Sequence, residues 1–95
     1  MNIQAQNDFT YLDNIYTQPY FLVSHYPTID LPFTIVNCYM FENRTCYENG
    51  NPYLQSFGYN VSNDIINNDN LITDSIVKFL KTISPDTIFI SSNIQ

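Results

Sequence analysis

The sequence predicts an α+β fold: one small compact acidic domain spanning residues 1–95, with a mostly antiparallel sheet of four to five strands, one long C-terminal helix packed on it and a short N-terminal helix. Three observations predict it. Phe33 to Phe41 places apolar side chains at nearly every position over a strand-length run. Leu71, Ile72, Ile76, Phe79, Leu80 and Ile83 recur at helical spacing. A chain of 95 residues has room for one core, and it contains no repeat and no linker.

Asp8 has the chemistry of an N-cap, and Phe9, Leu12, Ile15 and Tyr16 follow at helical spacing, which predicts the short first helix, ended by Gln18-Pro19. Tyr20 to Tyr26 is aromatic and bounded by Pro19 and Pro27, which predicts a strand, and Thr28 to Pro32 reads as a loop. In Phe33 to Phe41, residues Phe33, Ile35, Asn37, Tyr39 and Phe41 share one face and Thr34, Val36, Cys38 and Met40 the other. Both faces are mostly apolar, as in a central strand. Glu42-Asn43-Arg44 can turn the chain into a short return strand, Thr45 to Glu48. Asn49-Gly50 is a two-residue hairpin signal, leading into a third meander strand from Tyr53 to Asn60. Ser62 to Asn70 is polar and turn-forming. Asp69 or Asn70 caps the last helix, Asp74 and Lys78 form a favourable i, i+4 pair, and Ser84-Pro85 stops it. Thr87 to Ser91 reads as a final strand that must pair with another, because an isolated apolar strand is an aggregation-prone edge.

Composition narrows the function. Three basic against nine acidic residues give a net charge of −6. Three cations cannot neutralise a track of phosphates, so direct nucleic-acid binding is excluded. No run of about 18 apolar residues exists to span a membrane as a helix. Two cysteines are too few for a disulfide scaffold, and Cys38 and Cys46 are expected as free thiols packed in the sheet. The start, Met1 to Asp8, has no secretory-signal pattern, so the expected compartment is the cytoplasm of a host cell. The 13 Asn, with abundant Ile, Tyr and Phe, indicate an AT-rich coding sequence. Lysine codons are AT-rich too, yet Lys78 and Lys81 are the only lysines, which indicates selection against positive charge.

No arrangement of residues suggests catalysis. His25 is the only histidine, and its neighbour Ser24 points to the opposite face of a strand. Cys38, Cys46 and His25 leave a zinc site one ligand short, and Asp64, Asp69 and Asp74 lack the glycine and terminal Glu of a calcium loop. With 2 Gly there is no phosphate cradle. The expectation is no enzyme activity, no metal and no cofactor.

The acids carry the functional reading. Asp64, Asp69 and Asp74 follow one another with no cation between them, and Glu42 and Glu48 flank the predicted hairpin beside Tyr47 and Tyr53. Carboxylates steer a basic partner and tyrosines anchor it, so these seven residues are the expected partner-binding set. In size, charge and composition the chain resembles phage-encoded inhibitors of restriction or CRISPR nucleases, and toxin-neutralising immunity proteins. That resemblance implies an inhibitor, phage or virus encoded, whose acidic surface occupies the basic groove of a nucleic-acid-binding protein. The alternatives are a viral structural or assembly protein associating through sheet surface, as monomer or homodimer, and a non-catalytic accessory subunit.

Overall fold

The computed structural model describes residues 2–26, 31–64 and 69–91. Seven strands and two helices follow in the order β1 (Asn2–Ala5), β2 (Phe9–Tyr11), β3 (Asn14–Tyr16), β4 (Tyr20–Tyr26), β5 (Phe33–Phe41), α1 (Arg44–Glu48), β6 (Gln55–Ser62), α2 (Asp69–Ile83) and β7 (Phe89–Ser91). Five strands form one antiparallel sheet in the order β6-β5-β4-β1-β7, and β2 and β3 form a separate hairpin. The α+β class is as expected, but the meander is formed by β4, β5 and β6 and not by the expected run through residues 45–48. The 15-residue α2 crosses one face of the sheet.

That face is the core side. Period-2 alternation sends Ile3, Ala5, Phe21, Val23, Val36, Cys38, Met40, Phe57 and Val61 inward, where they meet Ile72, Ile76 and Leu80 of α2 and Phe9 of the hairpin. Phe9 sits among Phe21, Phe57 and Phe89 with ring centroids 5.3, 6.3 and 6.1 Å away, all edge-to-face. Tyr59 stacks on Phe79 at 4.4 Å and joins the edge strand β6 to α2.

Three expectations are corrected. First, there is no N-terminal helix. Residues 9–16 fold as the β2–β3 hairpin, with Phe9 opposite Tyr16 and a two-residue turn at Leu12 and Asp13. Asp8 caps nothing; its carbonyl accepts a 2.8 Å hydrogen bond from the Thr87 hydroxyl. Ser84 Oγ lies 2.7 Å from Thr87 Oγ1 and accepts from the Thr10 N–H at 3.0 Å, so this polar cluster pins the end of α2 to the hairpin. Second, the expected element order lacked a strand at its start: Asn2–Ala5 is one, paired with β4 on one side and β7 on the other.

Third, Thr45 to Glu48 is helical, not a return strand. The Asn43 side chain accepts the Cys46 N–H at 2.8 Å and caps the start of α1. At the other end Gly50 adopts φ +78. Its N–H bonds Tyr47 O at 3.1 Å, and the Asn51 N–H bonds Cys46 O at 3.0 Å. These are the two bonds of a Schellman cap, so Asn49-Gly50 ends a helix and does not turn a hairpin.

The final strand pairs with β1, as the need to cover its edge requires. The helix expected from Leu71 to Ile83 begins at Asp69, and among the described residues the ion pair that forms is Arg44–Glu48 at 3.7 Å, not Asp74–Lys78. Part of the expected loop Thr28 to Pro32, and residues 65–68 of the polar stretch, lie outside the described residues.

Candidate functional site

The expected partner-binding residues fall into two groups. Glu42, Tyr47, Glu48 and Tyr53 come together around α1, beyond the Phe41 end of β5. Asp64 lies past the end of β6, where Ser62 pairs with Phe33, and Asp69 is the first residue of α2. The ladder between Glu42 and Asp64 follows the length of β5, so these two are roughly 25 Å apart at ~3.3 Å per residue. Asp74 is further along α2, exposed beside a groove that Val77, Lys78 and Phe89 also line.

At the α1 end the tyrosines serve packing. Tyr47 is half-buried, its ring 5.1 Å from both Tyr20 and Phe41. Tyr53 lies 4.9 Å from Tyr39 and 6.4 Å from Phe41, with 51% of its surface left exposed. Arg44 stands over the Tyr20 ring at 5.8 Å and reaches Glu48, so one of the two carboxylates here already has a cation. Asp74 shares its groove with Lys78, one turn further along α2, though no ion pair forms between them, and Lys81 sits in the last turn.

Asp8, Asp13, Glu42, Glu48, Asp64, Asp74 and Asp86 are all exposed, and among the described residues Glu48 alone of these forms an ion pair. The charge is therefore uncompensated and spread over the surface.

Chemistry-bearing groups are dispersed. Cys38 and Cys46 are both free. Cys38 is buried under α2, and loss of solvation pushes its thiol up to about 12, which keeps it protonated and unreactive. Cys46 is on α1 and not in the sheet, half-buried, with its sulfur 3.8 Å from Glu42 Oε2. Burial, and then the neighbouring Cys38, hold the Tyr59 phenol above its ordinary range. Among the described residues no three of His, Cys, Asp or Glu gather as a metal site would require. His25 is in β4 with its backbone opposite Val36. No described helix is long and apolar enough to cross a membrane.

Two features were not anticipated. One is an open cleft of about 760 Å³ between α1 and the strand ends, lined by Gln4, Gln6, Ile15, Gln18, Glu42, Arg44 and Leu54 among others. Much of its polar rim already has partners, since Gln4 Nε2 donates to Ala5 O and Gln18 O at 2.8 and 3.0 Å. The other is the far face of the sheet. Phe33, Ile35, Asn37 and Tyr39 of β5 point away from α2, and none of the four is fully buried. The interior position of β5 agrees with the sequence, but among the described residues its second face is covered only where Tyr47 and Tyr53 fold over it.

No family model matches the chain, and neither a curated protein nor a solved structure matches it.

Proposed function

We propose that this chain is a non-catalytic acidic binding protein that inhibits a nucleic-acid-binding protein, of the nuclease or restriction/CRISPR-effector kind, by occupying its basic groove. The observation that carries the reading is the set of exposed carboxylates, of which, among the described residues, Glu48 alone is paired with a cation. Carboxylates held on a rigid sheet-and-helix frame can stand where phosphates would stand on a nucleic acid, and a chain of charge −6 approaches a basic groove at an electrostatically raised rate. Asp64, Asp69 and Asp74 are the principal contacts, because Arg44 offsets part of the charge at the Glu42–Glu48 end. Tyr53 is the better tyrosine anchor, since Tyr47 is occupied in the aromatic cluster. The host cytoplasm is where such a target would be met.

Charge reversal tests it. Asp64→Lys, Asp69→Lys and Asp74→Lys together should weaken target binding by at least about tenfold and flatten its salt dependence. Intact binding by the triple variant removes these acids from the interface.

A further inference from the structure

The open face of the sheet calls for an occupant of its own. None of the five strands contains Asp, Glu, Lys or Arg, although the chain has twelve such residues, nine acidic and three basic. The uncovered side chains are aliphatic, aromatic, amide and hydroxyl groups. Leu22 is partly buried, and Ile35 and Ile90 are 40% and 52% exposed. Leaving the apolar side chains in water forfeits burial energy, and apolar groups exposed on one uncharged face mark a contact surface.

We infer that this face docks a second copy of the same chain, sheet against sheet. Charge selects that occupant. Two chains of −6 repel, and bringing most of their surfaces together sets carboxylates against carboxylates. The open face sets none. A basic partner would find no carboxylate among these strands and gains nothing by choosing them. A second copy supplies the same neutral, apolar and amide-bearing surface, so the contact is self-complementary about a two-fold axis. Two sheets stacked this way lie about 10 Å apart.

The area sets the strength. A sheet residue covers roughly 16 Å² of the plane, from ~3.3 Å along the strand and ~4.8 Å between strands. The uncovered part is three strands wide at the Phe33 end and five near Leu22, roughly 430 Å² in projection. Tyr53 and Leu54, 51% and 50% exposed, extend it at the α1 rim. Two copies then bury about 1,000 Å², the lower bound of a specific interface. The contact is accordingly at the weak end of specific interfaces. This contact uses none of the carboxylates of the acidic-groove reading and shares with it only Tyr53 at the rim.

Sedimentation equilibrium of the purified chain from about 1 μM to about 1 mM tests it. The mass should rise from 11.1 kDa toward twice that value, and added salt should leave the association unchanged or strengthen it by screening. Ile35→Glu and Ile35→Lys should each weaken the dimer by at least about tenfold, because both place a charge in a dry contact. Circular dichroism confirms that each variant folds, and the isosteric Asn37→Asp makes the same test from the next position on that face if either Ile35 variant does not. Leu12→Asn, on the remote hairpin tip, should leave the dimer intact. A chain that stays monomeric to about 1 mM overturns the inference. So does a dimer indifferent to the Ile35 variants, a dimer that Ile35→Lys strengthens while Ile35→Glu weakens it, or a dimer that Leu12→Asn abolishes.

Discussion

The ring of Tyr47 lies 5.1 Å from the ring of Tyr20, and this contact fastens the five-residue α1 to the sheet. A helix so short has no stability of its own. Its two caps and its aromatic contacts with Tyr20 and Phe41 hold it. Tyr47→Ala should therefore destabilise the protein by about 1–2 kcal/mol and expose amides 44–51 to rapid hydrogen exchange, while the α2 amides stay protected. Denaturant melts and exchange mass spectrometry read both effects.

The two glycines should respond differently to substitution by alanine. Gly50 has φ +78 with nothing within 4 Å of an added Cβ, so Gly50→Ala meets backbone strain and no clash. A loss of about 1 kcal/mol is expected. Gly58 lies in a strand, and an added Cβ would come 3.4 Å from Asn37 Oδ1, an ordinary contact. Gly58→Ala should change stability by less than about 0.5 kcal/mol in either direction. Urea midpoints of the two variants give the comparison.

The β2–β3 turn is strained where it is most exposed. Leu12 and Asp13 both have positive φ, 49 and 67, and Leu12 is 74% exposed. Leucine is poorly suited to that conformation, which a two-residue turn of this kind normally fills with Asn-Gly. The double substitution Leu12→Asn, Asp13→Gly should raise stability by roughly 0.5–1.5 kcal/mol, measured as a higher melting temperature.

The buried thiol of Cys38 makes stability pH-dependent in one direction. Its ordinary value of 9.0 applies to the unfolded chain, and burial raises it to about 12 in the folded one. Above about pH 9 the unfolded chain therefore loses a proton that the folded chain keeps, and stability falls with rising pH by on the order of 1 kcal/mol per unit toward pH 12. Below pH 9 the group contributes no slope. Cys38→Ala should flatten the limb between about pH 9 and 10, whereas above pH 10 Tyr59, whose phenol burial also raises, keeps a downward slope. In the native protein near neutral pH a thiol reagent should modify Cys46 and reach Cys38 only on unfolding.

What was legible in the sequence depended on how many structures shared a pattern. Tyr20–Tyr26 and Phe33–Phe41 were legible to the residue because no helix face fits an unbroken apolar and aromatic run. The helix over residues 71–83 was legible from its stripe. Residues 9–16 misled because Phe9 and Tyr16, seven apart, are neighbours on a helix face and also opposite each other across a two-residue hairpin. The Leu12-Asp13 turn has none of the residues that would have broken the tie. Asn49-Gly50 misled because the left-handed glycine of a hairpin is the same glycine that ends a helix, and Asn43 at the other end decides for the helix. The acids were legible as residues, but their division between two ends of the sheet follows from the β5–β6 register, which no local pattern encodes.

The most direct test of the acidic-binder account is affinity capture from host-cell lysate, with bound proteins identified and then challenged by rising salt and by added DNA. The account predicts capture of a nuclease or another nucleic-acid-binding protein, released by either challenge and captured at least about tenfold less by the Asp64→Lys, Asp69→Lys, Asp74→Lys variant. Capture of only the chain itself, or of partners indifferent to salt, to DNA and to the charge reversals, would contradict it.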